Sequence, residues 1–537
     1  MIRQIILLSG SVCSGKTTLC NKLVERFGFS ALRTKEILSK LSPKIESERG
    51  AMQAFGQRLD RKTKGGWVRD ALTRFATQQG GDVTVIVDAV RIVEQVELIR
   101  QAFGTSVFHI HLTAPLEVLR ERYETKRVDG LKEFASYEQV RKNRTERNVQ
   151  RLADIADVVI NTARSTEADV VVRAASHLGL YGRGYPQLVD VLIGGQYGSE
   201  GKGHIASYLA REYDILVRVG GPNAGHQVFE EPAPFTFHQL PSGTRSSEAK
   251  LIIGPGAVIS VERLLKEIGA CQVESDRLSI DPKAVIIEKS DVRNEQRRLV
   301  QNISSTGQGV GYATARRILF RGDSKLRTAN DIPELKPFVR ETYYQLEKAF
   351  SEEKRIFLEG TQGTGLSLFH GNYPYVTSRD TTVAGCLAEA GISPRRVRKV
   401  IMVCRTYPIR VADPEKRGKT SGFMSQPLDW HEVARRAGLN GQKLETAEKT
   451  STTKRRRRVA EFDWQLLRQS ATLNGPTDVA LTFTDYLSNE NAKAKRFEQL
   501  TDETIRFIQE VERVTSAPVS LISTGFNSRS IIDRRAW

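Results

Sequence analysis

The sequence predicts an α/β chain in two parts. A parallel-sheet P-loop domain is expected over residues 1–185, and a larger α/β domain with a mostly parallel central sheet over 186–537. Three observations carry this reading. Ile5-Ile6-Leu7-Leu8 is an apolar run of buried-strand type that enters a glycine turn and then a helical stretch. Val191-Leu192-Ile193 does the same, entering Gly194-Gly195-Gln196-Tyr197-Gly198-Ser199-Glu200-Gly201-Lys202-Gly203. A chain of 537 residues is also too long for one hydrophobic core. Leu180 to Gln187, with Gly182, Gly184 and Pro186, reads as the linker between the two parts.

Composition narrows the class. Hydrophobic residues at 39% and charged residues at 27% are ordinary for a globular protein. A formal charge of +18 favours anionic partners such as nucleotides or nucleic acid, although solvated surface accounts for part of it. Cysteines 13, 20, 271, 386 and 404 are scattered and form no CxxC pair, so neither a zinc site nor a disulfide framework is indicated. No run of 18 apolar residues occurs, and residues 1–9 carry no cleavage pattern, so no membrane span and a cytoplasmic location are expected. No internal repeat relates the two parts.

In the first part, Gly10-Ser11-Val12-Cys13-Ser14-Gly15-Lys16-Thr17 matches the P-loop pattern between a strand and a helix running to Phe27. Gly10 and Gly15 bound the loop, Lys16 is expected to reach the β- and γ-phosphates, and Thr17 to offer a hydroxyl to Mg²⁺. A second strand, Val83 to Val87, ends at Asp88-Ala89-Val90-Arg91. A carboxylate at the carboxyl end of a central strand sits near the phosphates. Asp88 is therefore a candidate for Mg²⁺ or for orienting an acceptor, with a helix cap as the alternative. Val107 to Leu112 is the next strand, and its His109 and His111 read as structural. Pro115 to Lys126 begins a helix. Arg120, Arg122, Lys126, Arg127, Arg141, Lys142 and Arg144 are either a lid that neutralises phosphate or a solvated charged surface. Asp157 to Asn161 looks like the last strand, and Thr162 to Leu178 contains a closing helix. This part resembles nucleoside monophosphate kinases and relatives such as dephospho-coenzyme A kinase. The resemblance implies ATP, Mg²⁺ and a small acceptor, a deoxynucleoside monophosphate being one candidate.

In the second part, Gly201, Lys202 and Gly203 form a phosphate cradle at the start of a helix, with non-Walker spacing. Strand-like Ile215 to Val219 leads to Gly220-Gly221-Pro222-Asn223-Ala224-Gly225-His226. His226 lies in a loop at a strand's carboxyl end, where ligands collect, and not on a helical apolar face. Ser304 to Gly311, Glu359 to Thr364, Thr452 to Arg458 and Ser523-Thr524-Gly525 follow.

These motifs, in this order, resemble adenylosuccinate synthetase over about residues 189–537. The resemblance implies a two-step ligase acting on a purine nucleoside monophosphate and L-aspartate with Mg²⁺ and ATP or GTP. The 6-oxygen is phosphorylated, and the aspartate amine then displaces phosphate. His226 is implied as general acid, with Lys202 and Mg²⁺ neutralising the moving charge and Gln362 holding the purine or its 6-oxygen. Asn223 and Gly225 belong to the same site, Gly225 at the metal. Ser305, Thr306, Thr381 and Thr382 are implied as phosphate contacts. Arg316 or Arg317 is implied to complete the neighbouring subunit's site in a homodimer. Arg455 and Arg457, with Thr452 and Thr453, are implied as a clamp for the aspartate carboxylates, a reading preferred here to a nucleic-acid patch. Asp485, Ser523 and Gly525 are implied to close the donor-base pocket. Glu490 to Thr515 reads as helices with little chemical content.

The sequence departs from that pattern at three places. Ser199 stands where the family reads aspartate, the residue expected to accept the N1 proton and to bind Mg²⁺. The same replacement resembles the phage-type 2-aminoadenylosuccinate synthetases, which take dGMP instead of IMP. Ser199's hydroxyl can accept a bond from a purine 2-amino group. The N1 proton is then left to Glu200, a water or substrate phosphate. Gln308 replaces an arginine, and Phe483 replaces the lysine that packs on guanine, which makes ATP a plausible donor. A bifunctional enzyme, a nucleotide-responsive sensor or defence protein, and a nucleic-acid binder are the three functional classes these features allow.

Overall fold

The computed structural model describes residues 2–42, 49–78, 83–125, 136–142, 144–181, 184–230, 233–323, 326–415, 418–449 and 456–536. They form two compact units, Met1–Arg183 and Gly184–Trp537. Tyr185, read from sequence as linker, belongs to the second unit: the Arg395 and Arg396 guanidiniums lie 4.5 and 4.8 Å from its ring centre.

The first unit is a five-stranded sheet in the order Ser30–Arg33, Val83–Asp88, Ile2–Gly10, Val107–Thr113, Val158–Asn161. Every pairing is parallel. Alternate side chains of one strand point to opposite faces. Ile5 and Leu7 therefore pack with Trp67, Leu72 and Ile99 on one side. Ile6 and Leu8 pack with Leu19, Leu23 and Ala174 on the other. Both faces are covered, which is why the strand reads as an unbroken apolar run.

The next strand carries two histidines inside this sheet. Ser9 Oγ lies 2.7 Å from His109 Nε2 and 2.8 Å from His111 Nδ1. A hydroxyl donates to one neutral ring and accepts from the other, so it pairs one nitrogen of each. Burial lowers both imidazoles to about 4, aided by Arg100 at His109 and by Lys16 at His111.

The second unit is built on a nine-stranded sheet in the order Leu278–Ile280, Lys250–Ile253, Ile215–Arg218, Ile356–Glu359, Val189–Gly194, Val397–Arg405, Asp478–Thr482, Val519–Ser523, Ile531–Asp533. All neighbours are parallel except the last pair. Val189, Val191 and Ile193 face one core and Leu192 the other, again because both faces are buried. Parallel register brings the ends of the central strands Val189–Gly194, Val397–Arg405 and Asp478–Thr482 to one edge, and the loops leaving that edge hold the motifs. A three-stranded antiparallel sheet, Ile409–Val411, Arg457–Ala460 and Pro427–Leu428, lies apart from it.

Burial of His109 and His111 in neutral form fixes a pH dependence. Their folded pKa values lie below the unfolded value, so the unfolded state takes up protons first on acidification. Their contribution to the first unit's stability is complete above about pH 6.5 and falls away as pH drops toward 4. Denaturant titration of the full chain at pH 7.5 and 5 is expected to show the first unit's transition moving to lower denaturant at pH 5. Ser9→Ala leaves a buried ring nitrogen unpaired and is expected to cost about 1–3 kcal/mol at pH 7.5.

Candidate active site

In the first unit, Gly15 adopts a left-handed φ of 97° just before the helix Lys16–Phe27, the conformation that turns the loop's N–H groups inward. Lys16 Nζ donates to the carbonyls of Gly10 at 2.8 Å and Ser11 at 2.7 Å, folded onto its own loop. Thr17 Oγ1 donates to Asp88 Oδ2 at 3.2 Å. Asp88 caps no helix, because the following helix begins at Val93. A hydroxyl and a carboxylate this close are hard oxygen donors that suit Mg²⁺, which supplies charge neutralisation on phosphate oxygens when bound. Arg122, offered as a lid residue, instead donates to Thr162 Oγ1 at 2.9 Å and to the Thr162 carbonyl at 2.8 Å. Arg120 and Arg141 pair with Glu138 at the surface. Lys126 and Arg127 lie outside the described residues, as does the side chain of Arg144.

In the second unit, the loop after Val189–Gly194 is organised by Glu200, which is fully buried. Its Oε1 accepts from the N–H groups of Gln196 at 3.1 Å and Gly198 at 2.7 Å, and its Oε2 pairs with Lys202 Nζ. Thr482 Oγ1 donates to the Glu200 carbonyl at 2.6 Å, tying the loop to the strand Asp478–Thr482. Glu200 is therefore committed to holding the loop and its lysine and is not available to take the purine N1 proton. Ser199, at a left-handed φ of 57°, is exposed at the loop's mouth. Gly201 has φ 90° before the helix Lys202–Leu209. A Cβ on Gly203 would lie 2.8 Å from the Cβ of His226, so only glycine lets this helix approach the histidine.

His226 Nδ1 is 2.5 Å from Glu359 Oε1. The same carboxylate accepts from Ser242 Oγ at 2.5 Å, Ser242 N at 2.7 Å and Arg218 at 3.3 Å. Despite its burial, Arg218 and His226 hold Glu359 down to about 2. Burial, reinforced by Arg218, lowers His226 to about 4 against the pull of Glu359. The imidazole is thus neutral near pH 7, with its Nδ1–H on Glu359. An entering polyanion opposes the Arg218 effect and raises the histidine toward the protonated form that an acid needs. Glu359 fixes the ring's orientation and tautomer.

Gln362, at φ 60°, donates through Nε2 to Asn223 Oδ1 at 3.2 Å. Its Oε1 accepts from Thr361 Oγ1 at 2.7 Å and Arg379 NH1 at 3.4 Å. Arg379 is held by Glu389 Oε1 at 2.5 Å, and Glu389 Oε2 accepts from the Gly220 N–H at 3.0 Å. Arg379 and Glu389 therefore lock the Asn223 loop and Gln362 together. The sequence reading assigned neither of them a role.

Other candidates are placed less directly. Ser305 Oγ donates to Glu295 at 2.5 Å, while the Thr306 carbonyl accepts from Gln308 at 3.0 Å. Thr381 donates to the Gly363 carbonyl at 2.8 Å, and Thr382 is the N-cap of the helix Val383–Ala390. Both threonine hydroxyls bond to the scaffold. Arg316 pairs with Asp291 and donates to the Ile286 carbonyl, and Arg317 donates to that of Pro255. Thr452, Thr453 and Arg455 lie outside the described residues. Arg457 pairs with Glu448 at 2.9 Å. Glu448 also takes Arg405 and the Tyr486 hydroxyl, each at 2.9 Å, and despite burial these arginines hold it to about 2. Arg405 donates to the Ser199 carbonyl at 3.3 Å, and its guanidinium carbon lies 3.9 Å from the Phe483 ring centre. A lone arginine ending the apolar run Val400–Cys404 is the signal that would have found it. Asp485 Oδ1 is buried without a hydrogen-bond partner among the described residues, and burial pushes its carboxyl up to about 7. Ser523 Oγ donates to the Gly525 carbonyl at 2.8 Å beside it. No group of three or more His, Cys, Asp or Glu side chains among the described residues could hold a metal by itself. Mg²⁺ in the second unit would rest on neutral oxygens, such as Ser199 Oγ and the Gly225 carbonyl, together with substrate phosphates.

Replacing Glu359 tests the histidine's setting. Glu359→Gln removes the charge that opposes Arg218, so the His226 resonance is expected to titrate lower than in the parent chain when followed by NMR. Leaving buried Arg218 unpaired is expected to cost on the order of 3 kcal/mol in denaturant unfolding.

Comparison with known proteins agrees with this geometry. The family model described as adenylosuccinate synthetase matches residues 191–330 and 320–492, and one described as an AAA domain matches residues 6–162. Adenylosuccinate synthetase of Methanocaldococcus jannaschii is 36% identical over 352 residues, covering 64% of this chain and 96% of the relative. That of Archaeoglobus fulgidus is 36% identical over 350 residues, covering 64% and 98%. Among solved structures, the succinoaminodeoxyadenylate synthetase of cyanophage S-2L, bound to dGMP and dATP as an energy donor, is 28% identical. It superposes with a TM-score of 0.54 over 65% of this chain and 96% of its own. The Plasmodium falciparum adenylosuccinate synthetase, at 21% identity and a TM-score of 0.56 over 65% and 100%, shares the fold. Its second unit carries the ordered phosphate loop, the Glu359-held histidine and the Gln362 loop, and the chain belongs to the adenylosuccinate synthetase family.

Proposed function

We propose that the second unit joins L-aspartate to a 6-oxopurine nucleoside monophosphate through a 6-phosphoryl intermediate, with dGMP the favoured purine. The first unit adds a P-loop phosphotransferase activity. The observation that carries the purine assignment is Ser199. Its hydroxyl stands exposed at the loop's mouth, and the adjacent carboxylate, Glu200, is bound internally. The serine side chain is smaller than the family's aspartate, which leaves room beside purine C2, and its hydroxyl accepts a bond from a 2-amino group. The cyanophage protein that shares the fold at 28% identity is described as bound to dGMP and dATP. In the phosphoryl step, Lys202 and the loop N–H groups face the transferring phosphate, Gln362 holds the 6-oxygen, and His226 supplies the acid. Arg457, with Arg455, receives the aspartate carboxylates.

Purified protein with Mg²⁺, L-aspartate and ATP or GTP is expected to succinylate dGMP in preference to IMP, read by product mass. An unpaired buried amino group costs roughly 1–3 kcal/mol, which sets the preference at about five- to 150-fold. Ser199→Asp is expected to shift it toward IMP. Turnover of IMP with none of GMP or dGMP would establish the ordinary adenylosuccinate reaction, the reading that the archaeal relatives favour.

Asp485 supplies the donor-base reader in this proposal. An ionised carboxylate accepts from guanine N1–H and N2–H, whereas a protonated one donates to adenine N1 and accepts from N6–H. With its carboxyl near 7, both states are accessible. The kcat/KM ratio for GTP over ATP is expected to rise as pH passes upward through about 7. Asp485→Asn is expected to flatten that profile.

The proposed homodimer draws on Ile318, Leu319 and Phe320, exposed at 59%, 75% and 46% directly after Arg316 and Arg317. Light scattering of the active protein is expected to give twice the chain mass, and Leu319→Glu to lower it.

A further inference from the structure

We propose that the first unit's acceptor is a purine nucleoside monophosphate bearing a 2-amino group, read at its base edge by Asp60. This rests on the phosphotransferase reading above and extends it to the acceptor. The first unit contains a cavity of about 800 Å³ whose lining combines the P-loop, the cations Arg33, Lys35 and Arg91, and a group made of Leu38, Met52, Asp60, Trp67 and Gln95. Arg33 is the sheet partner of Asp88, and Arg91 follows Asp88 in the same loop, so these cations stand beside the transfer point. Glu146 holds Arg91 in place at 3.1 Å.

A bonded seam links Arg91 to Asp60. Gln95 Oε1 accepts from the Arg91 N–H at 2.7 Å, and Gln95 Nε2 donates to Asp60 Oδ1 at 2.9 Å. Trp67 Nε1 donates to the same Oδ1 at 2.7 Å. Among the described residues no donor reaches Oδ2, and burial raises this carboxyl. The seam thus runs from the cation Arg91 through Gln95 to an acceptor-only oxygen, and Leu38, Met52 and Trp67 add apolar surface to the same cavity. A nucleoside monophosphate has the matching groups: phosphate, flat apolar base, polar edge. A carboxylate at the edge requires donors there. Guanine offers N1–H and a 2-amino group and 2-aminoadenine offers two amino groups, whereas hypoxanthine, adenine and cytosine each offer a single donor group; the 2-amino group is what the first two share. The second unit's Ser199 selects for the same substituent on independent grounds, so both halves of the chain would handle one class of nucleotide.

The acceptor hydroxyl or phosphate oxygen attacks the γ-phosphorus of ATP, the bond to the β-phosphate oxygen breaks, and ADP leaves. For a monophosphate the product is the diphosphate. The full chain is incubated with ATP, Mg²⁺ and no aspartate against a panel of dGMP, 2-aminoadenine deoxynucleotide, dIMP, dAMP and dCMP, and diphosphates are resolved by mass. The two 2-amino purines are expected to exceed their counterparts, dIMP and dAMP, by about tenfold or more in kcat/KM. Lys16→Ala is expected to abolish all diphosphate formation. Asp60→Asn keeps an acceptor for Trp67 and Gln95 but turns a donor toward the cavity, so it is expected to shrink the gap to within about twofold while ATP turnover persists. Equal use of dIMP and dGMP, preference for dCMP, or an unchanged gap in Asp60→Asn overturns the base assignment and leaves the phosphotransferase reading standing. No diphosphate from any acceptor, with Lys16-dependent ATP hydrolysis intact, overturns the phosphotransferase reading itself.

Discussion

One constraint shapes the candidate site of the second unit: four of its cations are buried, and each is paired with a carboxylate. Lys202, Arg218, Arg379 and Arg405 are all under a tenth exposed, and each meets a carboxylate, in order Glu200, Glu359, Glu389 and Glu448. Such pairs gain little net stability, because desolvation offsets the attraction. What they supply is position. Removing either partner would leave an isolated charge in a low-dielectric interior, so each pair fixes the loop that carries it.

Catalytic geometry follows from these pairs. Glu200 sets the phosphate loop and its lysine. Glu359 sets His226. Glu389, through Arg379, sets Gln362 and the Asn223 loop. Glu448 gathers Arg405, Arg457 and Tyr486 behind Ser199 and Phe483. Ser199 belongs to none of these networks by its side chain, which suits a position where one substitution exchanges substrates without disturbing the scaffold. The first unit is arranged differently. Lys16 donates to two backbone carbonyls of its own loop, those of Gly10 and Ser11.

Much of the frame was legible because it follows from local patterns. Ile5 to Leu8 and Val191 to Ile193 read as buried strands, and the glycines after them as phosphate loops, because parallel sheets demand apolar runs and tight turns need left-handed backbone. Asp88 and His226 were found because chemistry gathers at the carboxyl ends of strands. Glu359 was seen only as part of a motif, and Arg379, Glu389, Glu448 and Asp60 were not assigned. Each is distant in sequence from the group it positions, and a lone charged residue gives no local sign of its partner. Thr382, for which a phosphate contact and a helix cap were the two readings, is the N-cap of its helix; both roles present the same hydroxyl in the same local sequence.

The sequence by itself determined the fold class, the two phosphate loops, the order of the ligase motifs and the departure at Ser199. These are properties of residue type and short-range spacing. Tertiary structure alone decided which carboxylates are occupied. Glu200 had stood open as a base for the purine N1 proton, and only its three bonds within the loop remove it. Likewise only packing shows that Asp485 Oδ1 is buried with no hydrogen-bond partner among the described residues, and that Trp67 and Gln95 both donate to Asp60 Oδ1. The reason is physical: a carboxylate's chemistry is set by the donors and solvent around it, and folding brings those donors from distant parts of the chain.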